Sequence, residues 1–158
     1  MYKRKFMKIA HQLTVMNAVN GYQTGGPFGA VVVKDHKIVG IGYNHVIKNC
    51  DPTAHAEVQA IRDACKNLNT HDLTGCELYT SCYPCPMCLS TSIWANIKRI
   101  YYGNTQEDAD KIGFRDKEMY DMFKDLEHNT LTTLTQHDRD VTIESFDDFM
   151  DTVEAIKY

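Results

Sequence analysis

The sequence predicts an α/β fold, a mixed sheet with helices on both faces. Three stretches predict it. An apolar stripe of helical period opens the chain, two short apolar runs then follow each other across a turn, and residues 77–102 read strand–helix–strand. The last stretch implies a parallel pair with a crossover, whereas the two short runs form a hairpin.

The first helix spans roughly residues 3–20. Phe6, Ile9, Ala10, Leu13, Met16 and Val19 recur at its period, and Asn20-Gly21 stops it. Gly25-Gly26-Pro27-Phe28-Gly29 is a loop, and the strands 30–33 and 38–41 meet across Asp35-His36. Residues 54–68 form a second helix, with Thr53 as its N-cap and Ala56, Ala60, Ile61 and Ala64 on its packed side. A strand at 77–80 runs into a cysteine-rich turn. A helix over 85–96 follows, with Pro84 at its first position, and then a strand over 98–102. Beyond Asn104 the pattern weakens. Residues 107–112 and 117–123 look helical around Gly113-Phe114, and 131–135 or 141–143 supplies a last strand. Phe146, Phe149, Met150, Val153 and Ile156 mark a final acidic helix ending at Tyr158.

At 158 residues, with no internal repeat or linker, the chain reads as one domain. No stretch approaches the roughly 20 apolar residues of a membrane span. The basic start Met1-Tyr2-Lys3-Arg4-Lys5 resembles that of a signal peptide, but Lys8, His11, Gln12, Asn17 and Asn20 break the apolar core such a peptide needs. The expectation is a cytoplasmic protein. Its net charge of −4 is uneven: residues 1–104 carry +5 and residues 105–158 carry −9. The acidic second part disfavours a nucleic-acid partner.

The chemistry is concentrated in two short motifs. Cys85 and Cys88 lie three residues apart at a helix start, where both sulfurs can reach one ion. The positive end of the helix dipole favours the thiolate that binds metal. His55 is the natural third ligand, and three ligands leave a zinc ion one open position for water, as catalytic sites do. Two thiolates blunt the acidity that zinc confers on water, so a base must stand beside it. Glu57, two residues after His55, fits that role and would carry protons to a ring nitrogen and a departing amine. His-x-Glu followed by Pro-Cys-x-x-Cys is the zinc deaminase signature. Two other readings use the same cysteines: Cys82 as a fourth ligand would close a structural site, and a redox pair would need no His-x-Glu. Phe28 reads equally as a core residue or an aromatic face for a flat ligand, and Asn44 as a turn residue.

The chain resembles the cytidine deaminase-like superfamily and, within it, the bacterial guanine deaminases. Besides the metal motif, the resemblance is carried by Gly25-Gly26-Pro27-Phe28-Gly29-Ala30-Val31, Asp51-Pro52-Thr53-Ala54-His55-Ala56-Glu57, Tyr79-Thr80-Ser81-Cys82 and Gly113-Phe114-Arg115-Asp116. It implies a three-layer α/β/α sandwich and zinc-dependent hydrolysis of guanine to xanthine and ammonia. It also implies that Phe28 and Trp94 stack on a purine, that Asn44 hydrogen-bonds its edge, and that Ala56, Asp116 and Tyr158 complete the substrate site. Members of this group are homodimers, and residues 129–158 would be a lid segment exchanged between subunits. One departure stands out: relatives carry glutamate where this chain has Tyr83. Another aminopurine, a nucleoside or a pyrimidine base therefore stays open as substrate. So do a tRNA adenosine deaminase and a non-catalytic module stabilised by zinc.

Overall fold

The computed structural model describes residues 1–128 and 130–151. The chain divides into two compact units, Met1–Asp121 and Met122–Tyr158. The first contains α1 (Arg4–Ala18), β1 (Gly29–Lys34), β2 (Lys37–Tyr43), α2 (Val46–Asn49), α3 (Ala56–Leu68), β3 (Glu77–Cys82), α4 (Pro86–Trp94), β4 (Arg99–Asn104), α5 (Gln106–Lys111) and the start of α6 (Asp116–Lys124).

The sheet has the order β2-β1-β3-β4. Strand β1 is antiparallel to both β2 and β3, and β3 is parallel to β4, so the hairpin and the parallel pair both form. Asp35 and His36 join the hairpin with φ of 48° and 65°, the left-handed pair that a tight two-residue turn requires. Side chains alternate across the sheet. Val31, Val33 and Tyr79 pack with Phe6 of α1, while Ala30, Val32 and Leu78 pack with Ala56, Ala60 and Ala64 of α3. Helix, sheet and helix are therefore the three layers of a sandwich.

Helix α3 lies directly on β2 because two glycines make room for it. A Cβ on Gly42 would stand 2.2 Å from the carbonyl oxygen of Ala56, and one on Gly40 2.2 Å from that of Ala60. This close seat fixes where the N-terminus of α3, with His55 and Glu57, meets the sheet.

Both helix starts differ from the sequence expectation by a residue or two. The N-cap of α3 is His55, not Thr53. Thr53 is engaged by Asp51, whose Oδ1 accepts its N–H at 2.8 Å and its hydroxyl at 2.6 Å, a local turn that competes with capping. In α4 the first-turn proline is Pro86 and Cys85 is the N-cap, so Pro84 stays outside the helix. Helix α2 was not foreseen, since one turn is too short to show a period.

The second unit contains α7 (Arg139–Thr142) and α8 (Glu144–Asp151). The expected last strand is absent among the described residues: 131–138 form neither helix nor strand, and 141–142 lie in α7. Leu134 and Val141 are 79% and 64% exposed. β-Branched and apolar composition favours a strand only through burial against neighbouring strands, and side chains this exposed do not have it. The final acidic helix is α8 as far as Asp151, while Val153, Ile156 and Tyr158 fall outside the described residues. No helix among those described is long and apolar enough to cross a membrane.

Candidate active site

The N-termini of α3 and α4 converge. Nδ1 of His55 stands 3.5 Å from Sγ of Cys85 and 3.6 Å from Sγ of Cys88, and the three ligand atoms lie within 4.8 Å of one another. A tetrahedral zinc with Zn–S of about 2.3 Å and Zn–N of about 2.0–2.1 Å has ligand–ligand edges of about 3.5–3.8 Å. The donor set and its spacing fit zinc.

The protons of this cluster are distributed unevenly in the metal-free chain. Cys85 is held well below the ordinary thiol range, first by the hydrogen bond from Cys88 and then, against the effect of burial, by the His55 imidazole. The same bond, together with burial, pushes Cys88 up. His55 is raised, first by its bond to Cys85. One thiolate, at Cys85, is thus already in place for a cation.

Glu57 sits within this arrangement at 5% exposure. Its Oε1 accepts the hydroxyl of Thr80 at 2.8 Å, and its Oε2 accepts the Cys88 thiol at 3.4 Å. Burial pushes its carboxyl up, while a backbone hydrogen bond and the one from Thr80 pull the other way. A carboxyl raised in this manner is suited to take and return a proton near neutral pH.

A narrow cleft opens over Glu57 and Cys85, lined also by Phe28, Phe114, Cys82, Tyr83 and Asp116. The rings of Phe28 and Phe114 meet edge to face, 4.7 Å between centroids at 86°, a favourable arrangement for an aromatic pair. Desolvation, and then the charge of Cys85, raises the Asp116 carboxyl. Cys82 directs Sγ to the carbonyl of Thr105 at 3.6 Å, and its thiol is pushed up to about 12, first by burial. It lies outside the three-atom cluster, so a closed four-ligand site does not form.

The structure brings Phe28, His55, Glu57, Cys85 and Asp116 to this cleft and buries Cys88 beside His55 and Cys85. Asn44 is 3% exposed. Its N–H donates to the carbonyl of Phe28, and its Oδ1 accepts the N–H of Val46 at 3.1 Å, so it braces the loop beneath Phe28. The side chain of Ala56 is fully buried in the core, which leaves only its backbone to face a ligand. Trp94, at the end of α4, is 65% exposed and does not line the cleft of this single chain. Tyr158 lies outside the described residues. Sequence reasoning missed Thr80. The available signal was a hydroxyl two residues after Leu78, on the strand face that packs against α3.

Comparison with known proteins agrees with this geometry. The description of the cytidine and deoxycytidylate deaminase zinc-binding region matches residues 1–104. The chain is 50% identical over 118 residues to the guanine deaminase of Bacillus subtilis (strain 168), covering 72% of this chain and 76% of that one. It is 38% identical over 126 residues to the tRNA-specific adenosine deaminase of Buchnera aphidicola subsp. Schizaphis graminum, covering 80% and 79%. The crystal structure of a guanine deaminase from Bacillus subtilis superposes with a TM-score of 0.91 at 39% identity, over 100% of this chain and 99% of that one. A guanine deaminase from Nitrosomonas europaea superposes with a TM-score of 0.63 at 32% identity, over 69% and 62%. On its fold, its three-ligand cluster and these likenesses, the chain belongs to the zinc-dependent cytidine and deoxycytidylate deaminase family.

Proposed function

We propose that this chain hydrolyses guanine to xanthine and ammonia. The observation that carries the substrate is the closeness of the structural likeness: a TM-score of 0.91 over 100% of the chain for the Bacillus subtilis guanine deaminase, against 0.62 over 66% for a structure of tRNA:A34 deaminases.

His55, Cys85 and Cys88 would hold the zinc, which when bound would supply Lewis acidity to a water near neutral pH. Glu57 takes one proton from the attacking water and donates it to the ring nitrogen; it then takes the second proton from the hydroxyl on the attacked carbon and donates it to the departing amine, leaving a carbonyl and ammonia. Thr80 keeps Oε1 of Glu57 oriented, so the working oxygen is Oε2, beside the ligands. Phe28 offers its ring to the flat base, and Phe114 backs that ring edge-on. Asp116 accepts from the amidine edge. Asn44 and the backbone of Ala56 contribute from below.

The working form in this reading is a cytoplasmic homodimer. Ile93 and Trp94 at the end of α4 are exposed apolar residues, as is Tyr102 on β4, and a partner covering the first two would bring Trp94 into a shared pocket. In the same reading residues 129–158 form the exchanged lid, with Tyr158 at its tip.

The resemblance to tRNA-specific adenosine deaminases supports a second reading, hydrolysis of an adenine in tRNA. Ammonia release by the zinc-loaded chain separates the two. The panel is guanine, adenine, isocytosine, cytosine, cytidine, guanosine and tRNA. Guanine is expected to lead, with xanthine as product. Turnover of tRNA that falls steeply with salt, with none of guanine, would replace this proposal.

A further inference from the structure

Tyr83 follows β3 and is held from two sides. Its N–H donates to the carbonyl of Asn104 at 2.8 Å, extending the β3–β4 pairing by one residue. Its ring lies edge to face with Tyr102 of β4, 4.9 Å between centroids at 75°, and with Tyr120 of α6, 5.7 Å at 71°. The hydroxyl of Tyr120 donates to the carbonyl of Pro84 at 2.8 Å, and Pro84 stands between Tyr83 and the ligand Cys85. Asp116 and Tyr120 are four residues apart on α6 and therefore share one face of the helix. A helix pinned through Tyr120 turns Asp116 towards the same loop, and both Asp116 and Tyr83 line the cleft.

We propose that Tyr83 is a positioning residue for substrate binding: its ring, wedged between Tyr102 and Tyr120, latches the start of α6 onto the cysteine turn and so holds Asp116 over the metal site. The ring carries this role and the phenol oxygen does not. The proposal deepens the guanine reading, on which it rests only for the choice of substrate.

Two measurements on the zinc-loaded full chain test it. The first is amide hydrogen exchange without substrate, read over residues 118–121, which does not depend on what the enzyme turns over. Tyr83→Ala is expected to speed exchange there roughly tenfold, the scale for losing two edge-to-face ring pairs. Tyr83→Phe, which keeps the ring, is expected to match wild type. Tyr120→Phe, which loses the bond to Pro84, is expected to move the same amides in the same direction. The second measurement is guanine kinetics. Tyr83→Ala should raise KM about tenfold while kcat falls less, with zinc content unchanged and Tyr83→Phe restoring wild-type values. Should Tyr83→Ala not fold, Tyr83→Leu fills the space without a ring and is read in the same way.

Unchanged exchange in the ring-less variant would overturn the latch. A Tyr83→Phe variant as impaired as Tyr83→Ala would also overturn it, since the phenol oxygen would then be the group that matters. If wild type ignores guanine while exchange behaves as expected, the guanine reading fails and the latch stands.

Discussion

The hydroxyl of Thr80 donates to Oε1 of Glu57 at 2.8 Å, across the boundary between β3 and α3. Both residues are buried, so this bond acts where water cannot substitute for it. A donor to a carboxylate favours its charged form, and the loss of the donor raises the pKa.

Thr80→Val should therefore push the Glu57 carboxyl higher than burial already does. The limb of the kcat/KM–pH profile that reports ionised Glu57 should move to higher pH. Activity would fall on the acid side and recover as pH rises. Removing a partner from a buried polar atom also costs about 1–3 kcal/mol of stability, which a denaturant midpoint would read. A profile that stays in place would mean that Thr80 does not support the carboxylate.

Zinc uptake should release protons. In the metal-free chain Cys85 is depressed while Cys88 and His55 are raised. At neutral pH Cys88 is then a protonated ligand, and His55 holds its proton to higher pH than an ordinary imidazole. Metal requires all three in deprotonated form, so at least one proton should leave per zinc bound. Calorimetry in two buffers of different ionisation enthalpy measures this number. Release of none would contradict the cluster as ligands. Affinity should also fall as pH drops, because more protons then compete with the metal for the same ligand atoms.

The sheet, its pairing and the metal ligands were legible in the sequence because each rests on local pattern. Val31, Val33 and Tyr79 alternate with Ala30, Val32 and Leu78 in the way a covered sheet demands. His55, Glu57, Cys85 and Cys88 sit at helix starts, where spacing alone brings donors together. What was not legible depends on which partner a residue takes up. Thr53 lost its capping role to Asp51, two residues before it. Residues 131–135 had strand-like composition yet form neither helix nor strand. Trp94 ended on the surface of the single chain, because nothing local says which face of α4 a second subunit would cover. Thr80 was missed since its partner lies 23 residues away.

The proposed exchange of residues 129–158 between subunits has its own test. Deleting Tyr158 should weaken guanine turnover and leave zinc content at the wild-type level, because the ligands all lie within residues 55–88. Full activity in the shortened chain would remove the terminal tyrosine from the site.

Glu57→Gln tests the central claim most directly, through zinc stoichiometry and kcat measured on the same preparation. The amide keeps the shape of the side chain and can still accept from Thr80, but it cannot take a proton. The account expects one zinc per chain, as in wild type, with kcat reduced roughly 10²–10⁴-fold, the range for losing a general acid–base group. A variant that keeps its zinc and still releases ammonia at the wild-type rate would contradict it.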